Sequence, residues 1–204
     1  MATLREVKKR IRTVKSNMLF ALILLVASSA YGFDGHRKGF VLSGGLGFAP
    51  VSKWSGDIGL LSFAETGGGI GLNFVIGHAW NEQNMIVYEE NGTFWSSDAL
   101  NQSVFQAFSG AAWYHYFAIN EQSSDWRNDK YISGPFTALG LGIYSFDGEN
   151  FSANDPGIAV LVGGGFEFAR HWQFGGYLSI GQTSDAGVDF SHYHLNFLVS
   201  GVAF

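Results

Sequence analysis

The densest group of reactive side chains in this 204-residue chain is Asp189, Ser191, His192 and His194. An acid, a hydroxyl and an imidazole are the parts of a nucleophilic relay, in which the imidazole takes the hydroxyl proton and the acid orients the ring. In an extended segment, however, alternation puts His192 and His194 on one face and Ser191 on the other. That is an awkward start for a nucleophile–base hydrogen bond. Two imidazoles also fall one ligand short of a metal site. The group reads as rim residues at the outer end of a strand, and no catalytic residue, metal or cofactor is assigned.

Glu167 is the second candidate, an acid set mid-face in a strongly alternating stretch. Turned inward, it needs polar company, because an unpaired buried carboxylate is costly. Asn73, Gln173 and Tyr177 are the residues expected to join it in a polar network, and a proton or solute path is the sharper alternative. Glycine clusters at 44–47, 67–71 and 163–165 resemble phosphate cradles only superficially. A phosphate loop opens a helix, and these sit inside strand patterns. Cysteine is absent, so thiol chemistry, disulfides and CxxC metal sites are excluded.

The elements that would hold these groups are strands. In residues 40–48, Phe40, Leu42, Leu46 and Phe48 alternate with small residues, and residues 69–80 repeat the design from Ile70 to Trp80. Further alternating stretches cover residues 85–90, 104–117, 136–146, 158–168, 172–180 and 190–204. Both faces of 104–117 carry aromatics, so its phase stays open. The stretches between, at 50–65, 91–102, 118–133, 147–156 and 182–189, read as loops, while 81–84 and 169–171 are tight turns. Long connections alternate with short ones, except that 118–133 is too long for a turn. Glu89 and Glu90 read as wetting the outer part of their strand. Charged residues make up 14% of the chain and aromatics 16%, with 28 glycines, against about 25% charged in soluble domains.

At the other end, basic residues between Arg5 and Lys15 precede the apolar run 18–27 and the small residues Ser28, Ser29 and Ala30. This order predicts a helical secretory signal peptide over residues 1–30. Its apolar run is about half the ~20 residues of a spanning helix. Residues 1–30 hold six of the 12 Lys and Arg and one of the 17 Asp and Glu, so the remainder carries a formal charge of −10. That acidity excludes nucleic acid as a partner.

The final stretch, 190–204, is apolar and β-prone and ends on Phe204. A closing strand with a terminal aromatic resembles the C-terminal signature of bacterial outer-membrane barrels. With the signal peptide and the Gly–aromatic alternation, residues 38–204 resemble the small outer-membrane β-barrel family, the eight-stranded group that includes the transmembrane domain of outer-membrane protein A. The resemblance implies an all-β, eight-stranded antiparallel up-and-down transmembrane β-barrel, with residues 31–37 as a short N-terminal segment. It implies Phe204 as the insertion signal read by the barrel-insertion machinery, outer-membrane lipids as surroundings, and a location in the cell envelope of a Gram-negative bacterium. Phe40, Trp80, Trp113, Phe168 and Trp172, near strand ends, are the expected interfacial aromatics, with Phe48 and Phe204 beside them.

The expected role is that of a monomeric, non-enzymatic barrel with a side-chain-filled lumen and four external loops, acting structurally or through surface contacts with an unidentified external ligand. The alternatives are a narrow, porin-like transport barrel for small or apolar solutes, and a lipid-modifying barrel enzyme. A soluble lipocalin-like barrel would reverse the faces, and no Trp has Gly two positions before it.

Overall fold

The computed structural model describes residues 37–58, 61–117, 120–123, 130–148, 153, 155–169, 171–185 and 187–204; the signal peptide expected over 1–30 lies outside them. Nine strands are present among these residues: β1 (Gly39–Ile58), β2 (Leu61–Asn81), β3 (Asn84–Ser97), β4 (Gln102–Tyr116), β5 (Asn120–Ser123), β6 (Lys130–Gly148), β7 (Asp155–Ala169), β8 (Trp172–Asp185) and β9 (Val188–Ala203). All pairings are antiparallel. β1 pairs with both β2 and β9, and β4 pairs with β6, so eight strands close into a ring. Closure leaves no unpaired edge, the condition a sheet must meet in hydrocarbon. β5 stays outside the ring and pairs only with the start of β6, from Asn120↔Ser133 to Ser123↔Lys130. The over-long connection 118–133 is therefore partly a hairpin of its own.

The strands outrun the loops expected between them. β1 continues to Ile58 and β2 resumes at Leu61; β3 reaches Ser97; β8 and β9 meet at Asp185 and Val188. Apolar alternation marks only where strands touch lipid. Beyond it the ladder continues in water with polar outer faces, so 50–65, 91–102 and 182–189 read as loops although most of each is strand. Pro50 does not end β1. The register shifts between Ala49 and Ser52, so Pro50 sits at a β-bulge, where its missing N–H breaks no ladder. The phase of β4 is settled: Val104, Gln106, Phe108, Ala112, Tyr114 and Tyr116 are buried, while Trp113 and Phe117 face out.

The two faces of the wall are inverted relative to a soluble protein. Leu46, Ile70, Ile86, Leu141, Ile158, Val162 and Ile180 lie exposed on the outside, Ile158 at 76%. Glu89, Asn91, Thr93, Gln106, His194 and Asn196 are fully buried inside. The exposed belt on β2 runs from Ile70 to Trp80, close to the ~9–11 residues of a tilted membrane strand. Phe40, Trp80, Trp113, Phe168 and Trp172 are all exposed. Register places them near one end, beside the turn at 81–84 and the ends of β7 and β8 at Ala169 and Trp172. This end is the floor, and the opposite end, where strands outrun the belt, is the mouth.

Candidate functional site

The lumen is built in layers. At the floor, Arg37 precedes β1 and turns inward, 1% exposed. Its guanidinium pairs with Glu167 of β7, donates to the Glu82 carbonyl at 2.7 Å, and lies 3.4 Å over the Tyr116 ring. Its amide donates to Glu82 Oε2 at 2.9 Å. The Phe204 ring closes the layer from below, 5.3 Å from both the Arg37 guanidinium carbon and the His171 ring. Expected with the interfacial aromatics, Phe204 is instead 4% exposed, because at the floor it covers a buried cation. Gln173 accepts from the Tyr116 hydroxyl at 3.0 Å.

The middle layer is a chain of hydrogen bonds across four strands. The Tyr114 hydroxyl donates to Glu89 at 2.7 Å, and Asn91 Nδ2 donates to the other Glu89 oxygen at 3.2 Å. Asn91 Oδ1 accepts from Asn196 Nδ2 at 2.8 Å and lies 3.3 Å from His194 Nε2. A carbonyl oxygen only accepts, so His194 carries its proton on Nε2 and receives the Tyr144 hydroxyl at Nδ1, 2.6 Å away. Thr93 donates to Asn196 at 2.8 Å, and Ser200 donates to Asn73 at 3.3 Å. Above them His192 stacks on Tyr144 at 5.0 Å and shares a 2.8 Å contact with Thr183.

At the mouth the lumen ends in an aromatic cap of Trp54, Trp95, Val104, Phe146 and Phe190, with Phe63 and Leu100 packed against it. Glu65, above the belt on β2, ties the cap to the β3–β4 turn. Its carboxylate accepts from Trp54 Nε1 at 3.1 Å, from the amides of Asp98 at 2.6 Å and Ala99 at 3.2 Å, and from the Ser97 hydroxyl. Burial works to raise the pKa of Glu65, but the bonds from Ser97, the Ala99 and Asp98 amides and Trp54 outweigh it and hold the carboxyl below its ordinary 4.5. Such a depressed group contributes stability that is complete above 4.5 and is lost as pH falls through the lower folded value. The protection factors of the Asp98 and Ala99 amides, taken against the intrinsic exchange rate at each pH, are accordingly expected to fall on acidification below pH 4.5, and Glu65→Gln to remove that dependence. Protection factors that are flat with pH in the parent protein would refute this.

The four residues expected to form one network all point inward but form no single one: Glu167 and Gln173 share the floor layer without bonding each other, and Asn73 and Tyr177 lie apart from them. Glu167 pairs with Arg37, not with Asn73, Gln173 or Tyr177; Gln173 bonds Tyr116; Asn73 bonds Ser200. Tyr177 is fully buried, its ring filling the space beside Gly163 and Gly175. Glu89, expected to wet the outer strand, is inside, since two adjacent acids on one strand must face opposite ways. That rule was enough to place one of the pair in the lumen. Ser191 faces out while His192 and His194 face in, and Asp189 accepts from Ser184 at 2.6 Å, so no relay forms among these four. Among the described residues no group of three His, Asp or Glu is placed to hold a metal.

Greasy side chains outside and a buried polar ladder within decide the solvent each face was made for. The chain is an eight-stranded barrel of the outer-membrane type. Its sequence matches no protein-family profile and no curated protein. Among solved structures it is similar to Neisserial surface protein A, at 10% identity and TM-score 0.46, covering 81% of this chain and 97% of that one. It is similar to Ail, the attachment invasion locus protein of Yersinia pestis, at 14% identity and TM-score 0.44, covering 80% and 99%. It is also similar to outer membrane protein AlkL, solved in DMPC bilayers, at 12% identity and TM-score 0.39, covering 82% and 92%. At such identities the likeness is one of fold alone. The barrel's own residues carry what is particular to it.

Proposed function

We propose that the protein is a closed, non-conducting barrel of the bacterial outer membrane, exported by the signal peptide over residues 1–30, whose work is done at its outer rim. One observation carries this reading. The bore is filled by side chains, with Phe108, Tyr114, Tyr144 and Tyr177 each fully buried between the Arg37 floor and the Trp54 cap. An eight-stranded barrel is only about wide enough for its own side chains, and on this reading they close it to a hydrated solute. What remains available is the mouth, where strands rise beyond lipid and present mostly small, polar outer faces. On this reading the role is structural or one of surface contact, without enzymatic chemistry or cofactor. The partners are outer-membrane lipids and, during assembly, the barrel-insertion machinery, with the monomer as the working unit.

The test is electrical. Folded protein, verified by heat-modifiable gel mobility, is reconstituted into planar bilayers in potassium chloride, and no stepwise current is expected at any voltage the membrane tolerates. A variant with Tyr114→Ala and Tyr177→Ala, which removes two cross-lumen rings, is expected to conduct. Discrete steps from the parent protein would overturn the closed reading in favour of transport.

A further inference from the structure

We infer that the lipid-facing wall of β3 and β4 carries a binding site for a membrane-dissolved apolar amine, whose ammonium is held by the Glu90 carboxylate. Of the adjacent pair Glu89 and Glu90, Glu89 is sealed in the lumen, so Glu90 points out of the barrel. It does so inside the apolar belt. It pairs in register with Phe74, in the middle of the run from Ile70 to Trp80, and Ile86, Tyr88 and Phe94 lie exposed on its own face of β3. Ile86 and Phe94 stand ~13 Å along the strand on either side, or ~9 Å in depth at a tilt of ~45°. A short carboxylate side chain cannot climb that distance to water. Among the described residues the Glu90 side chain makes no hydrogen bond and no ion pair. Leu46, Leu141, Val162 and Phe197 hold the middle of the belt on other strands. An ionisable group in that setting is costly without a partner and marks a functional position.

The surroundings select the partner. Glu90 faces Ser109 across the β3–β4 pair, Tyr88 faces Ala111, and Gly92 faces Ala107. Along this stretch β4 presents small side chains, while Tyr88 on one side and Leu141 and Ile143 on the other stand out into lipid, 47%, 65% and 48% exposed. The result is a trough one strand wide, with Glu90 half-buried at its edge. At the mouth-side end Phe105 stacks on Phe94 at 4.3 Å and lies over Gly92, where a Cβ would come within 2.5 Å of its ring. A neighbouring barrel or helix meets the tall side chains before it reaches the carboxylate, whereas an alkyl ammonium is slender enough to lie in the trough. An anion surrounded by hydrocarbon attracts a cation more strongly than it would in water, and an N–H donor on that cation adds a charge-assisted hydrogen bond. Small residues alone would make a groove for any lipid tail; the carboxylate makes it selective for an amine. The site lies on the outer wall and does not depend on whether the lumen is closed.

The test uses the full folded barrel in phosphatidylcholine nanodiscs, with empty nanodiscs as the blank, titrated with N,N-dimethyldodecylamine and with dodecanol. Binding in excess of the blank is read by heat and by depletion of the free compound. Saturable binding of the amine is expected, with dodecanol at least about tenfold weaker, the factor that a hydrogen bond to a charged group supplies. Glu90→Gln keeps the volume, is expected to fold as the parent does, and is expected to bring the amine down to the dodecanol level. Ala111→Phe fills the trough while leaving the carboxylate in place, and is expected to weaken the amine by a similar factor. Amine binding no greater than the blank overturns the inference, as does amine binding undiminished in folded Glu90→Gln or Ala111→Phe. Dodecanol that saturates as tightly as the amine overturns it too. A concentration-dependent dimer that Glu90→Gln dissolves would give the trough to a second copy of this chain and overturn it equally.

Discussion

Arg37→Ala is expected to lower the stability of the folded barrel by about 3–5 kcal/mol, the cost of stranding one member of a buried ion pair. Arg37 and Glu167 are each 1% exposed and paired. The guanidinium also satisfies the Glu82 carbonyl and covers the Tyr116 face at 3.4 Å. Removing it leaves the Glu167 carboxylate beside rings and a desolvated floor with nothing to balance its charge. Arg37→Lys is not expected to rescue, because a compact ammonium cannot lie flat on Tyr116 while reaching Glu167 and Glu82 together. Arg37→Met combined with Glu167→Leu is expected to recover most of the loss, since both charges are then gone and the volume is kept. Urea unfolding in lipid vesicles, followed by tryptophan emission, measures all three. If Arg37→Ala stays within about 1 kcal/mol of the parent, or the double variant is as weak as the single, the floor is not held by this pair.

The contrast with Glu167 as read from sequence is instructive. Alternation alone turns it inward, and low lumen polarity demands a partner, both of which hold. Its partner is 130 residues away in the chain and lies just before the first strand, where nothing periodic marks it. Which residues meet across a barrel follows from stagger between strands, and stagger is fixed by bulges such as that at Pro50 and by closure of β1 on β9. Hydrophobic pattern does not encode either. The outer wall was legible for the opposite reason. Ile158, Val160, Val162, Phe166 and Phe168 need no specific neighbour, only lipid, so their spacing carries the whole signal. The mouth was hidden because its strands are mostly wet on the outside: Trp54, Glu65, Trp95 and Ser97 keep strict inward alternation, but apart from Phe94 their outward neighbours are Lys53, Ser55, Ala64, Thr66 and Ser96, which read as loop.

Gly47→Leu is expected to prevent closure, or to cost about 3 kcal/mol or more where folding survives, at the upper end of overpacking effects. A strand glycine is ordinarily a weakness of about 0.5–1 kcal/mol relative to alanine, so its replacement should help unless space forbids it. At Gly47 it does. A Cβ there would collide with the Phe197 carbonyl oxygen and come within 2.9 Å of Leu198 Cα, backbone atoms of the very strand that closes the ring. Gly165 meets the same obstacle in the Phe174 carbonyl and in Gly175 Cα at 2.7 Å. Backbone cannot yield without lengthening the ladder on both sides. Gly176 is the internal control, because its nearest neighbours are Phe197 ring atoms at 3.2 Å. That ring can rotate, and Gly176→Ala is expected to be neutral or slightly stabilising, within about 1 kcal/mol. Gly47→Ala, Gly165→Ala and Gly176→Ala, compared by heat-modifiable mobility and urea midpoint, separate backbone approach from side-chain crowding. Equal tolerance at Gly47, Gly165 and Gly176 would mean that close contact between closing strands is not what confines those two positions to glycine.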